Sequence, residues 1–208
     1  MDVNNTATGA SDGSASAPRS VALRTPLTEA AVRDLRAGDQ VRISGTVWGL
    51  RDATLINWHD AGNEFPADLS GAVLLHTQPN VKRVDGRWMP VCIGTTTSAR
   101  MDRFTRPLLE RLGVRAILGK GGLSPDSAEA MAEHGCVYLA VVGGAASVQT
   151  LQIDEIEEVH WEHLMPECLW KLRVSDLGPM TVAIDTHGRN MHEEVLAAAR
   201  ANVARLTG

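Results

Sequence analysis

A chain of 208 residues with a formal net charge of −5 is long enough for one domain with a real core, and it has no general attraction for nucleic acid or anionic lipid. No apolar run reaches the length of a membrane span and no charged-then-apolar leader opens the chain, so a cytoplasmic location is the expectation. The three cysteines, Cys92, Cys136 and Cys168, form no CxxC unit, which argues against a local metal knuckle or a disulfide framework; Cys92 and Cys136 sit in or beside apolar runs and read as small buried hydrophobes.

Residues 1–20 are rich in Ser, Ala, Thr, Gly and Asn and nearly free of large apolar side chains. Such a segment cannot offset its ordering entropy, so a flexible tail is expected there and one domain over 21–208. Thr28 is placed to cap a helix over 29–35, with Gly38-Asp39 as the turn. Residues 41–48 read as a strand, 51–69 as a helix plus loop punctuated by Gly62 and Pro66, and 71–76 as a second strand. A hairpin turning at Asp85-Gly86 returns into a strand over 89–93. A helix begins near Ser98, is split or restarted by Pro107, presents Leu108, Leu109 and Leu112, and stops at Gly113. A strand over 114–118 leads to Ser124-Pro125-Asp126, a helix start with Pro at the first helical position, and that helix ends at Gly135. A buried strand over 137–142 runs into Gly143-Gly144. Short strands are expected at 157–162, 169–174 and 180–185, and a closing amphipathic helix at 192–206. Meander-like early strands followed by βαβ units give an α/β class with a mixed sheet.

Two loops carry the chemistry. Gly94-Thr95-Thr96-Thr97-Ser98-Ala99-Arg100-Met101 and Gly119-Lys120-Gly121-Gly122 each follow a short apolar run directly, at 90–93 and 116–118. Consecutive strands ending in such loops can aim both at one point. Arginine and lysine together with hydroxyl donors suit a small dicarboxylate, because each cation can neutralise a carboxylate that is costly to desolvate alone. Either loop by itself reads as a helix N-cap or tight turn with exposed cations; the pair reads as a site. A P-loop is excluded by spacing, since Gly113 to Gly119-Lys120 is one residue too long and Gly121 stands where a Ser or Thr should bind magnesium. Gly143-Gly144 lacks the GxGxxG spacing and serves close backbone approach. His160 and His163, three apart on an expected strand, would face opposite ways and read as surface or structural histidines. His59 and His76 flank the polar segment after Arg51 and are lesser candidates. Arg51-Asp52 is open to two readings, an Asp near a helix N-terminus with an exposed neighbour or a third cation aimed at the same pocket.

The loop from Gly94 to Met101 resembles the G-P-T-T-S-x-R-M motif of the class I fumarases, a family of iron–sulfur hydro-lyases. Gly119-Lys120-Gly121-Gly122 matches the family's G-K-G-G, and Arg51-Asp52 matches the opening of its R-D-x-x-H. The likeness runs from about Thr25 to Asn190. The blocks Glu157-Glu158-Val159-His160-Trp161, Met165-Pro166-Glu167-Cys168-Leu169-Trp170 and Ile184-Asp185-Thr186-His187-Gly188 bring it nearer to the beta subunits of L(+)-tartrate dehydratases within that family.

The resemblance implies a swivelling β/β/α domain that supplies half of an active site, the other half coming from a separate alpha subunit in a hetero-oligomer. It implies a 4Fe–4S cluster held by that subunit's cysteines and none held by this chain. The implied reaction is reversible loss of water from a small 2-hydroxy dicarboxylate, L-tartrate to oxaloacetate or malate to fumarate, by an enzyme active only with its alpha subunit. The cluster's open iron would act as a Lewis acid on the substrate hydroxyl. Thr96, by motif position, would take the proton from the neighbouring carbon, and Arg51, Arg100 and Lys120 would hold carboxylates. Three positions depart from the family: Thr95 replaces the motif's Pro, no histidine follows Arg51-Asp52 in Ala53-Thr54-Leu55, and the H-x-G-P stretch reads His76-Thr77-Gln78-Pro79. The alternative these departures raise is a non-catalytic dicarboxylate-binding or regulatory module that retains the fold.

Overall fold

Short, mostly apolar strands with no polar face must be covered on both sides, and three such strands form the centre of this protein. The computed structural model describes residues 18–144 and 146–207. In chain order the first elements are β1 (Ser20–Arg24), α1 (Glu29–Arg33), β2 (Gln40–Leu50), α2 (Asp52–Leu55) and β3 (Val73–His76). A hairpin of β4 (Asn80–Val84) and β5 (Arg87–Cys92) follows, then α3 (Thr105–Leu112), β6 (Ala116–Gly119), α4 (Pro125–His134) and β7 (Val137–Ala140). The chain closes with α5 (Ala146–Leu151), β8 (Ile153–His160), β9 (Leu169–Ile184) and α6 (Met191–Thr207).

Successive side chains of a strand point to opposite faces. Val73 and Leu75, Ala116 and Leu118, and Val137 and Leu139 therefore enter one core with Val41, Ile43, Trp170, Leu172 and Val182. Leu74, Ile117 and Tyr138, from the same three strands, enter a second core with Phe104, Leu108 and Met131 of the helical side. The sheet runs in the order β1-β2-β3-β6-β7-β9-β8, and β9 also pairs with β2. That extra pairing closes β2, β3, β6, β7 and β9 into a barrel whose interior is the first core, with a layer of helices packed outside. This is a β/β/α arrangement with a mixed sheet, as the sequence led us to expect. No helix among the described residues is long and apolar enough to cross a membrane.

Several local signals act as expected. The Thr28 hydroxyl accepts the Ala31 N–H at 3.2 Å and Ser124 accepts that of Ser127 at 3.3 Å, capping α1 and α4. Gly113 and Gly135 end α3 and α4 at φ 65° and 68°, where a Cβ would be strained. Pro107 sits in the first turn of α3, where its missing N–H has no helical partner to lose, and a 3₁₀ turn (Ser98–Phe104) feeds into that helix.

Other expectations are corrected. The early strands are not a meander: β1 and β2, and β2 and β3, pair in parallel, because α1 and α2 carry the chain back between them. The strands expected at 169–174 and 180–185 are one strand of 16 residues. Asp176 at φ 54° and Gly178 at φ 136° mark an irregular stretch, opposite the register shifts of β2 around Ile43 and Gly45, that bends the strand without ending it. The strand expected at 157–162 begins earlier, at Ile153, and His163 falls in a 3₁₀ turn (Glu162–Leu164). His160 bonds Glu158 at 3.0 Å and packs against Trp48, a structural role. Cys92 is exposed, not buried, because the β4–β5 hairpin packs Val81 and Trp88 on the barrel and leaves Met89 and Val91 exposed with it. Of the expected tail, residues 1–17 lie outside the described residues. Arg19 pairs with Asp34 at 2.8 Å and Asp39 at 2.7 Å, and Ser20 already belongs to β1.

Candidate functional site

Parallel strands end on the same side, and in such sheets ligands gather at the carboxyl ends. Here β2, β3, β6 and β7 are mutually parallel, so Arg51 after β2, His76 closing β3 and Lys120 after β6 fall on one rim of the barrel. The Gly94–Met101 loop is laid across that rim. The Thr96 N–H donates to the His76 carbonyl at 2.8 Å and the Ser98 N–H to the Lys120 carbonyl at 3.0 Å. Thr97 and Lys120 form a parallel β-bridge, and Thr77 and Thr95 an antiparallel one. The two glycine-framed loops singled out in the sequence are thus joined through their backbones.

Asp52 gathers two of the expected cations. Its carboxylate accepts from Arg51 Nε at 3.0 Å and lies 3.3 Å from an Arg100 terminal nitrogen. Arg51 also lies 3.5 Å from Glu167, with its side chain only 12% exposed. Glu167 accepts the Ala53 N–H at 3.0 Å and, through its carbonyl, the Thr54 hydroxyl at 2.6 Å, so it fixes the first turn of α2 where a carboxylate is favoured. Arg100 is the open member of the group, at 56% exposure. Lys120 pairs with no carboxylate among the described residues. Three cations against two carboxylates leave the rim positive, and a carboxylate arriving from solvent competes with Asp52 for Arg100.

Behind the rim lies a buried polar cluster. Ser98 Oγ is 2.9 Å from His76 Nδ1 and accepts from the Tyr138 hydroxyl at 2.9 Å. Burial pushes the His76 imidazole down to about 4 against the pull of the Asp52 charge, so the ring is neutral. Burial also pushes the Tyr138 phenol up to about 12, against the bond to Ser98. His76 has a consequence for stability: the unfolded chain takes up a proton near the usual histidine value of roughly 6.5, while the folded chain resists until about 4. Stability is therefore whole above that upper value and falls as the pH drops through the window. Urea titrations at stepped pH should show the wild type losing about 3 kcal/mol more than His76→Gln between the two values. Parallel pH curves for the two proteins would contradict the burial of a neutral ring.

Sequence reasoning named Thr96, Arg51, Arg100 and Lys120, and the structure places these four along this rim. It named Asp52 without its bridging role and His76 only as a lesser candidate, and it missed Glu167 and Tyr138. Glu167 reaches Arg51 only because β9 pairs with β2, matching Trp170 to Gly49. Leu55 occupies the place of the family's absent histidine, one helical turn after Arg51, and it is fully buried in the second core. A cavity of about 220 Å³ bounded by Leu75, Leu118, Val148 and Gln149 is apolar and holds none of these cations, so it does not suit a dicarboxylate.

The cysteines do not suit a cluster. Cys136 and Cys168 are buried, and burial raises both thiols, Cys168 to about 12, whereas a metal takes the thiolate. Cys92 stands on the separate hairpin. Among the described residues no group of three or more His, Cys, Asp and Glu side chains is placed to hold a metal ion.

Comparison with known proteins shows the family. The family described as Fumarase C-terminus matches residues 2–195. The L(+)-tartrate dehydratase subunit beta of Escherichia coli K12 is 38% identical over 173 residues, covering 83% of this chain and 86% of that protein. The protein of the same name from Shigella boydii is 37% identical over the same shares. A Geobacillus stearothermophilus protein, provisionally assigned as a class I fumarate hydratase, is 37% identical over 85% of this chain and 34% of its own length.

Proposed function

The chain belongs to the Fumarase C-terminus family, and on that premise we propose that it is the beta subunit of a hydro-lyase that reversibly removes water from a small 2-hydroxy dicarboxylate, tartrate first and malate second. The observation that carries the reading is the convergence of Thr96, Arg51, Arg100 and Lys120 on one rim, through the backbone bonds of Thr96 to His76 and of Ser98 to Lys120.

Loss of water from a hydroxy acid needs a base for a weakly acidic C–H, cations for the charge that builds on the neighbouring carboxylate, and a polarised leaving hydroxyl. Lys120 and Arg100 bind and orient the carboxylates, with Arg51, buried between Asp52 and Glu167, setting the position of the group that Arg100 shares. The half-buried Thr96 hydroxyl, which makes no side-chain hydrogen bond among the described residues, takes the proton. Polarisation of the leaving hydroxyl is the part these residues do not supply. We assign it to a 4Fe–4S cluster on an alpha subunit, a Lewis acid when bound there. Arg51 and Asp52, the retained part of that motif, stay paired on the rim and reach Arg100, which supports retained activity over a non-catalytic module.

The test is anaerobic co-expression with a cysteine-bearing alpha subunit, followed by hydration and dehydration assays on a panel of dicarboxylates. The pair should turn over at least one of them while each chain alone is inert, and iron and sulfide should copurify with the alpha subunit only. A stoichiometric cluster on this chain alone, or a cluster-loaded pair inert toward every dicarboxylate, would overturn the reading.

A further inference from the structure

Ser98 stands at a crossing of three strands. Its hydroxyl lies between the ring of His76 at the end of β3 and the phenol of Tyr138 on β7, each at 2.9 Å, and its N–H holds the carbonyl of Lys120 after β6 at 3.0 Å. Ser98 and Tyr138 are fully buried and His76 is 1% exposed. The space for this crossing is made by Gly119: a Cβ there would lie 1.8 Å from Ser98 Oγ and 2.8 Å from the Tyr138 hydroxyl. The strand gives up a side chain at that residue so that one hydroxyl can sit against it.

We propose that Ser98, with His76 and Tyr138, is a positioning hub that fixes the Thr96 hydroxyl and the Lys120 ammonium relative to one another. Thr96 is anchored to the His76 backbone and Lys120 to the Ser98 backbone, so the side-chain cluster ties together the two residues that carry those anchors. The ring that burial keeps neutral fits the proton count of the cluster. In the tautomer with Nδ1 bare, Tyr138 donates to Ser98 and the single Ser98 proton goes to His76 Nδ1. The ring proton is left on Nε2, which is buried and has no partner among the described residues. Protonation of His76 would put a second donor against Ser98 and break the sequence of donors. Charged and titratable groups acting on the ring are Asp52 and, through Ser98, Tyr138. None of the three hub side chains needs to touch substrate; they act through Thr96 and Lys120.

The kinetic consequence rests on the hydro-lyase reading, but the ordering of the loops does not, and the two can be read separately. Tyr138→Phe removes one oxygen from a ring that stays packed, and Ser98→Ala removes the hub itself. On the full chain, amide exchange of peptides covering 94–101 and 119–122 should quicken at least about tenfold in both variants, with the barrel strands unchanged. In the assembled enzyme Tyr138→Phe should lower kcat about tenfold or more with KM within about twofold, because misplacement costs turnover before binding. A general loss of stability would instead quicken exchange everywhere and leave kcat per active enzyme unmoved. Unchanged loop exchange in both variants overturns the hub whatever the enzyme does. Normal kcat in Tyr138→Phe, with a wild-type pair that is active, overturns its role in catalysis while leaving the hydro-lyase reading in place.

Discussion

Thr96→Val is expected to lower turnover of the assembled enzyme by roughly a hundred- to ten-thousand-fold, the span of general-base contributions, with substrate affinity and subunit association retained. Valine keeps the shape and the β-branched preference of threonine, and the Thr96 N–H to His76 bond belongs to the backbone, so the loop should hold its course. Only the oxygen is lost. A free hydroxyl is far too weak a base for this task, and its use depends on nearby positive charge to stabilise the alkoxide. Lys120 is bridged to Thr97, the next residue, and brings a charge that no carboxylate of the described chain neutralises. Full turnover in Thr96→Val would move the base to Thr97 or the alpha subunit.

Lys120→Met and Arg100→Met should each lower kcat/KM by at least about tenfold, since loss of a charge-assisted hydrogen bond costs roughly 1.5–3 kcal/mol. The two should not be equal. Lys120 offers its whole charge to a ligand, whereas Arg100 must first be drawn from Asp52, 3.3 Å away, which offsets part of what it gives. Lys120→Met is therefore the more damaging change. The comparison needs steady-state kinetics on complexes shown to be intact by size-exclusion chromatography. Near-normal values for both would make them surface cations of no consequence to the reaction.

What could be read from the sequence follows the range of the interactions. Caps at Thr28 and Ser124, the stops at Gly113 and Gly135 and the hairpin turn at Asp85-Gly86 are local, and each stands where its residues put it. The two loops with Arg100 and Lys120 were legible from their residues, but not for the reason that both end strands of one sheet: the first follows β5 of the separate hairpin and reaches the rim through its backbone bonds to His76 and Lys120. The closure of β2 on β9 was not legible, since it joins residues more than a hundred positions apart and depends on an irregular stretch at Asp176 and Gly178 that reads locally as a chain break. With that closure unseen, Glu167 had no visible connection to Arg51. Tyr138 was hidden in a different way. In a strand apolar on both faces an aromatic residue reads as core, and only the neighbouring Gly119 and a hydroxyl from another loop turn it into a polar partner. Cys92 misled because apolar residues on a hairpin covered on one face only have the same pattern as those on a covered strand.

Solvent-deuterium exchange into the substrate C–H, followed by NMR in the reconstituted pair, tests most directly whether this chain provides the proton acceptor. The wild-type pair should wash deuterium into the dicarboxylate as it turns over, and the pair built with Thr96→Val should bind the same dicarboxylate with exchange suppressed by the same factor as turnover. Exchange that persists in Thr96→Val at the wild-type rate would contradict the assignment of the base to this subunit.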